Sequence, residues 1–380
     1  MFVVDVFHNI LWSRYKGVVF SKIAEQAADR RLKFQFHQIA ETELDRVSLS
    51  VVDLSYHKYP YEVLFAGAYS TIPLPLRVTT LFKRVWNSKA DLVVLPCYDR
   101  IEYWGMLAAA ILRGKKRAVF SDSTIHDRPQ VAWKGWLKRL FLSTCDGVFV
   151  YGQRARQYAI HYGAPPAAVF SRCQAAALPH DYSRINALAA RVASAPSPNA
   201  PRYLYVGRMS PEKSLDSLLY AFAEVVGNCP DAKLALVGSG PDQLKLEAIS
   251  ASLELASSVL FLGSMNTIEL AKEYSRATCL VLPSKSEPWG LVVNEALSYG
   301  CPVVVSDACG CVPELVIEGI TGFAFKVGDV ADLQAKLSAV TMSLSDVSSV
   351  ANSCLATINR FTPAIAASQI IDGCQEILSR

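Results

Sequence analysis

No apolar run in this 380-residue chain approaches the roughly 18–20 residues that cross a bilayer as one helix; the longest candidate, Tyr103 to Leu112, has about half that length. The first 20 residues hold Asp5, His8, Arg14 and Lys16 in or beside their apolar stretch and do not read as a signal peptide. Cysteine is sparse: ten residues are scattered without a CxxC pair, and Cys309-Gly-Cys311 has no second pair to complete a zinc site. That argues against a disulfide scaffold and for a reducing compartment. Charged residues are 19% against 51% apolar, which excludes general disorder. No short internal repeat is visible, and no recognition motif for nucleic acid. The expectation is a cytoplasmic protein, with peripheral contact at the inner face of a membrane held open.

What is there suffices for two cores. The length fits two domains of about 150–200 residues each. Short apolar runs alternate with helical patterns, and candidate strands are 2–7, 92–95, 117–121, 148–151, 203–206, 234–237, 259–262, 279–282 and 302–306. These runs are continuous, as a parallel sheet covered on both faces requires. Between them Leu215, Leu218, Leu219, Phe222, Val225 and Val226 recur at helical spacing. The pattern predicts an α/β protein of two doubly wound, Rossmann-like domains facing a cleft, with ligand at the C-terminal ends of the strands. Ala193 to Pro201, rich in Pro, Ser and Ala, marks the boundary, so the predicted domains span 1–195 and 202–360. Charge divides there too: 26 Lys and Arg stand against 15 Asp and Glu in residues 1–200, and 12 against 19 in 201–380. The basic half is the expected site for an acidic partner, either a phosphate-bearing substrate or a lipid surface.

Three strand ends carry chemistry. In Tyr203-Leu-Tyr-Val-Gly-Arg-Met-Ser-Pro-Glu-Lys213, Gly207 permits a tight turn and Ser210-Pro211 suits a helix start. Arg208 and Lys213 are thus two cations beside backbone N–H groups, either a phosphate site or a solvated basic loop. Leu236-Val-Gly-Ser-Gly-Pro241 invites a dinucleotide reading, but Gln243 stands where the third Gly belongs, and a tight turn at Gly238 is the better reading. In Val281-Leu-Pro-Ser-Lys-Ser-Glu-Pro-Trp-Gly-Leu-Val-Val-Asn-Glu-Ala296, Pro288 keeps Glu287 extended and Gly290 allows close backbone approach. A helix is expected from about Leu291, with Glu295 in its early turns. Carboxylates hold sugar and ribose hydroxyls well, and a helix N-terminus favours a phosphate.

Glu-x7-Glu in this setting, with Val-Gly-Arg…Lys, Val-Gly-Ser-Gly-Pro, Phe261-Leu-Gly-Ser-Met265 and Val312-Pro-Glu…Thr-Gly-Phe323 in the same order, resembles the retaining GT-B glycosyltransferases of family 4 over residues 202–327. The resemblance implies transfer of a hexose from UDP- or GDP-hexose to a polysaccharide or lipid-linked glycan, with retention and without a further cofactor. Alternatives are a small soluble acceptor, or a non-catalytic nucleotide-sugar-binding subunit. Arg208 and Lys213 would hold the diphosphate beside Gly207 and Gly238, and Glu287 would contact the sugar. Backbone of Trp289, Gly290 and Leu291 would meet sugar and phosphate, Glu295 the ribose, and backbone near Ser264 and Met265 the base. Asp-x-Asp is missing, so metal-assisted departure is not indicated and the two cations would replace it. The final helix, 361–380, is expected to cross back to the N-terminal domain.

The basic half resembles the family less. Relatives carry a Gly-rich loop after the first strand; this chain reads His8-Asn-Ile-Leu-Trp-Ser-Arg-Tyr-Lys-Gly17, leaving Arg14 and Gly17 as acceptor-side candidates. Where relatives carry a His after a middle strand, it reads Phe120-Ser-Asp-Ser-Thr-Ile-His126. Asp122 and His126 are candidates there, each as a site residue or as a loop residue capping a helix. Trp133-Lys-Gly-Trp-Leu-Lys-Arg-Leu-Phe141, and a second cluster of Arg77, Lys83, Arg84, Trp86 and Lys89, suit either an anionic membrane surface or ordinary amphipathic helices.

Overall fold

The computed structural model describes residues 1–47, 51–127, 131–194 and 196–380. They form two compact units. The first gathers the described residues of Met1–Ile125, Pro129–Ala177 and Phe361–Arg380; the second gathers those of His126–Arg128 and Leu178–Arg360.

The first unit is built on seven parallel strands: β1 (Phe2–Ile10), β2 (Leu32–Thr42), β3 (Tyr61–Ala68), β4 (Leu92–Leu95), β5 (Lys116–Ser121), β6 (Gly147–Val150) and β7 (Val169–Phe170). Their order is β3-β2-β1-β4-β5-β6-β7, so the winding reverses between β1 and β4. Every residue of β4 and β6 is buried, which is why they read as unbroken apolar runs. One face of the sheet packs Phe7, Val93 and Val119 with Leu81, Met106 and Phe141. The other packs Val4, Val6 and Phe120 with Phe20 and with Ile370, Ile371 and Ile377. Those three isoleucines lie on the helix Pro363–Ser379, which Thr362 caps by accepting from the Ile365 N–H. Arg30 anchors it at 3.1 Å from Asp372.

The second unit has six parallel strands: β8 (Arg202–Val206), β9 (Lys233–Val237), β10 (Val259–Gly263), β11 (Cys279–Leu282), β12 (Val303–Ser306) and β13 (Gly322–Phe325). Their order is β10-β9-β8-β11-β12-β13, with the reversal between β8 and β11.

Two local expectations differ from the structure. Residues 178–194 were expected in the first domain but group with the second unit. The cause is the helix Arg184–Ser194: buried Arg191 donates to the carbonyls of Ser275 (3.1 Å) and Ala277, and Tyr182 donates to Ser298 O at 2.6 Å. The Pro/Ser/Ala stretch therefore begins at the end of a helix and not at the unit boundary; its Ala195 lies outside the described residues. The helix expected at Ser210-Pro211 is a 3-10 turn, Pro211–Lys213. The α-helix begins only at Leu215, after Ser214 in the left-handed region (φ 53°). Among the described residues no helix is long and apolar enough to cross a membrane.

Candidate functional site

The parallel strands of the second unit all end on one edge, where the loops leave the sheet. Arg208 follows β8, Gly238 follows β9, Ser264 and Met265 follow β10, and Glu287 to Leu291 follow β11. Arg208 and Glu287 thus flank the point where the winding reverses, the usual ligand position in such sheets.

The turns after β8 and β9 lie against each other. Gly207 N–H donates to Val237 O and Met209 N–H to Ser239 O, both at 3.0 Å. Gly238 has φ +124°, and a Cβ there would fall 2.0 Å from Gly207 O. The Gly-Ser-Gly stretch therefore exists for close backbone approach and not for a pyrophosphate fingerprint. Arg208 is exposed, and its carbonyl accepts from the buried Tyr205 hydroxyl at 2.8 Å. Lys213 ends the 3-10 turn, and its Nζ lies 2.5 Å from Glu287 Oε2, with both side chains mostly buried.

The Glu287 loop is fixed by its backbone. Lys285 N–H donates to Glu212 O, Gly310 N–H to Glu287 O and Cys311 N–H to Trp289 O. Gly290 is the N-cap of the helix Leu291–Ser298, with φ +99° and Leu282 2.8 Å from where a Cβ would stand. The Trp289 ring is 3% exposed and donates to Asn294 Oδ1 at 2.8 Å. That bond ties the ring to the helix, which leaves the Trp289 backbone for the role the resemblance implies. In the first turn of this helix the Val293 N–H donates to Gly290 O at 2.9 Å, while the N–H groups of Leu291 and Val292 come before the first i→i−4 bond of the helix.

Glu295 is half-buried on that helix, and Oε2 accepts from the Tyr274 hydroxyl at 2.7 Å. Tyr274, on the helix Thr267–Arg276, is fully enclosed and stacks on Tyr299 at 5.6 Å. Burial first, then the Glu295 charge, pushes its pKa well above the phenolic range, so it stays a donor. Ser264 and Met265 line a cavity of about 230 Å³ with Glu269, Lys272 and Arg276. Neither the Lys213–Glu287 pair nor the Tyr274 support has a sequence signal, since each joins separate crossovers.

The first-unit candidates are not gathered in the same way. Arg14 opens the helix Arg14–Gln26, 3.9 Å from Asp53. Gly17 lies in the first turn of that helix and not in a loop. A Cβ there would meet the His57 ring and Tyr56 O at 2.9 Å, so tight packing explains it. Asp122 follows β5, and its charge acts on Tyr15, Lys16 and Tyr151. Sequence reading missed Lys16. It is 3% exposed, its Nζ has no hydrogen-bond partner, and it lies 4.2 Å from the centre of the Phe120 ring. Burial lowers its pKa to about 8, against the pull of Asp122. His126 is exposed and belongs to the second unit, where the carbonyl of Asp127 accepts from Ser286 at 2.7 Å. Asp122 and His126 therefore sit in different units.

Two Rossmann-like parallel α/β units define the GT-B class. Solved structures agree: lipopolysaccharide outer core galactosyltransferase WaaB matches at TM-score 0.73 and 18% identity over 99% of each chain. Anabaena Alr3699/HepE in complex with UDP and glucose matches at 0.70 and 18% over 99% of this chain and all of that one. At such identities the likeness is one of fold. Residues 189–343 match the family model of glycosyl transferases group 1. Sulfoquinovosyl transferase SQD2 of Arabidopsis thaliana is 38% identical over 143 residues, 37% of this chain. The chain spans 26% of that relative's length.

Proposed function

We propose that the protein is a retaining, metal-independent glycosyltransferase moving a hexose from a nucleotide-sugar to a polysaccharide or lipid-linked glycan. The observation that carries the reading is the Lys213–Glu287 pair beside Arg208, at the winding reversal of the family-matched unit. Arg208 and Lys213 hold the donor diphosphate, with the turns at Gly207 and Gly238 alongside. Glu287 contacts the sugar. Backbone N–H groups of Trp289, Gly290 and Leu291 meet sugar and phosphate. Glu295 takes the ribose hydroxyls, and backbone at Ser264 and Met265 meets the base. The complex of a fold neighbour with UDP makes UDP-hexose the first donor to test, ahead of GDP-hexose.

As the glycosidic bond breaks, negative charge collects on the departing diphosphate. Fixed cations and helix N–H groups stabilise that charge more than the ground state. The same cations serve where a divalent ion otherwise would. The departing phosphate takes the acceptor proton on the face it leaves, which retains the anomeric configuration. Asp122, at the tip of β5, is assigned to the acceptor side, with Arg14, Gly17 and His126 as lesser candidates. The lipid-linked acceptor implies peripheral work at an anionic membrane surface.

Thermal stability against UDP, GDP, ADP and their sugar conjugates tests the donor assignment. Ligand at 100 times its dissociation constant adds about 2.7 kcal/mol. One nucleotide class should shift the wild type and not the Arg208→Ala, Lys213→Ala variant. No shift with any nucleotide would overturn the reading.

A further inference from the structure

The helix Ala132–Ser143 turns its most apolar stripe outward. Trp133 and Trp136 are 63% and 64% exposed, and Leu140 is 42% exposed. Their spacing of three and four residues places all three on one line along the helix. The inward side is already satisfied: Phe141 and Leu142 are fully buried, and the Phe141 ring packs edge-on against Trp104 at 5.1 Å. Core packing therefore accounts for one face of this helix and leaves two exposed indoles unexplained. A folded surface rarely leaves two neighbouring Trp side chains in water without a purpose.

Charge decides among occupants. Lys134 and Arg139 are both exposed, and Lys134 lays its Nζ over the Trp133 ring, 5.5 Å from the ring centre, so that a cation sits against the stripe. Between Asp127 and Asp146 the sequence has no acidic residue and four basic ones. Lys138 points inward instead, over the rings of Tyr158 and Tyr162. An apolar line with Trp, edged by cations and free of carboxylates, fits the boundary of an anionic bilayer: the indoles sit at headgroup depth and the cations meet lipid phosphates. A second copy of the chain fits less well. Three side chains on one helix fall far short of the about 800 Å² per partner of a stable interface, and two copies would bring like charges together.

We infer that the helix Ala132–Ser143 docks the protein on an anionic lipid surface, lying in the plane of the interface with Trp133, Trp136 and Leu140 inserted. The second basic cluster is not part of this face. Arg77 pairs with Glu102 at 3.4 Å, Arg84 contacts Glu62, and Lys89 lines a cavity of the first unit. The inference supplies the surface that a lipid-linked acceptor requires, yet it stands on the helix alone. Failure of nucleotide binding would not touch it, and its own failure would leave the donor site intact.

The test is co-sedimentation of the full chain with vesicles of phosphatidylcholine, with and without phosphatidylglycerol. Binding is expected only with the anionic lipid, and it should weaken as salt rises. Trp133→Ser with Trp136→Ser should lower partitioning by about tenfold or more while leaving the melting temperature unchanged, since both side chains are exposed. Lys134→Glu with Arg139→Glu should abolish the preference for anionic lipid. Equal pelleting of wild type and both variants, or no pelleting at all, would overturn the inference. So would self-association, or nucleic-acid binding, that only the wild type shows.

Discussion

Lys213 and Glu287, 74 residues apart, form an ion pair at 2.5 Å that joins the turn after β8 to the loop after β11. On the proposed donor site, a diphosphate arriving at Lys213 would compete with Glu287 for the same ammonium. Release of the carboxylate would leave it available to a sugar hydroxyl, so we propose that the pair is an internal placeholder for the two halves of the donor.

From this follows an asymmetry between two variants. Glu287→Gln removes the competitor and should bind nucleoside diphosphate at least as tightly as wild type, yet lose turnover by about 10²–10³-fold. Lys213→Ala should lose both binding and turnover. Calorimetric titration with UDP beside a transfer assay separates them, and weaker UDP binding by Glu287→Gln would contradict the placeholder role.

The Tyr274 hydroxyl donates to the Glu295 carboxylate, and a Phe at that position keeps the stacking on Tyr299. Tyr274→Phe should weaken nucleotide binding on the order of tenfold, because a hydrogen bond to a charged group is lost. Discrimination between ribose and 2′-deoxyribose nucleotides should narrow while kcat moves little. An unchanged ribose preference would leave Tyr274 as packing alone.

Lys16 should respond to pH. The unfolded chain keeps its proton up to about 10.5, the folded chain only to about 8, so folding expels a proton between those values and stability rises with pH there. Below about 8 the whole burial penalty stands. Lys16→Met should therefore stabilise the protein at neutral pH by roughly 3 kcal/mol, a gain that shrinks as pH climbs toward 10.5. Denaturant unfolding at several pH values reads this directly, and a gain independent of pH would refute it.

Arg191 holds the carbonyl end of the helix Thr267–Arg276. Arg191→Met leaves those buried acceptors unsatisfied and should cost roughly 2–3 kcal/mol in urea unfolding. An unchanged midpoint would mean that the neighbouring helices alone hold residues 184–194 in place.

Most of the sheet architecture was legible because central parallel strands are unbroken apolar runs, as in Leu92–Leu95 and Val303–Ser306. Three of the strands that escaped notice lack that mark. Leu32–Thr42 alternates polar and apolar residues at its start, Tyr61–Ala68 is a half-exposed edge, and Val169–Phe170 is two residues long; the fourth, Gly322–Phe325, is apolar but is a short edge strand that opens on a glycine. The second-unit candidates were legible because each occupies a strand end with its own local pattern of Gly, Pro and charge. What joins them was not, since pairs such as Lys213–Glu287 and Tyr274–Glu295 arise only when separate crossovers meet. In the first unit Gly17 illustrates the opposite hazard: a glycine kept for packing against His57 looks, in sequence, like a loop glycine.

The helix Pro363–Ser379 belongs to the first unit although residues 178–360 of the second unit lie between it and β7 in the chain. During synthesis residues 178–360 can complete their own fold while the first unit still lacks Ile370, Ile371 and Ile377. The half made first is thus finished last. Until those side chains arrive, the Phe120 and Phe149 face of its sheet is only partly covered, so a ribosome stalled between the two units exposes a surface suited to chaperone capture.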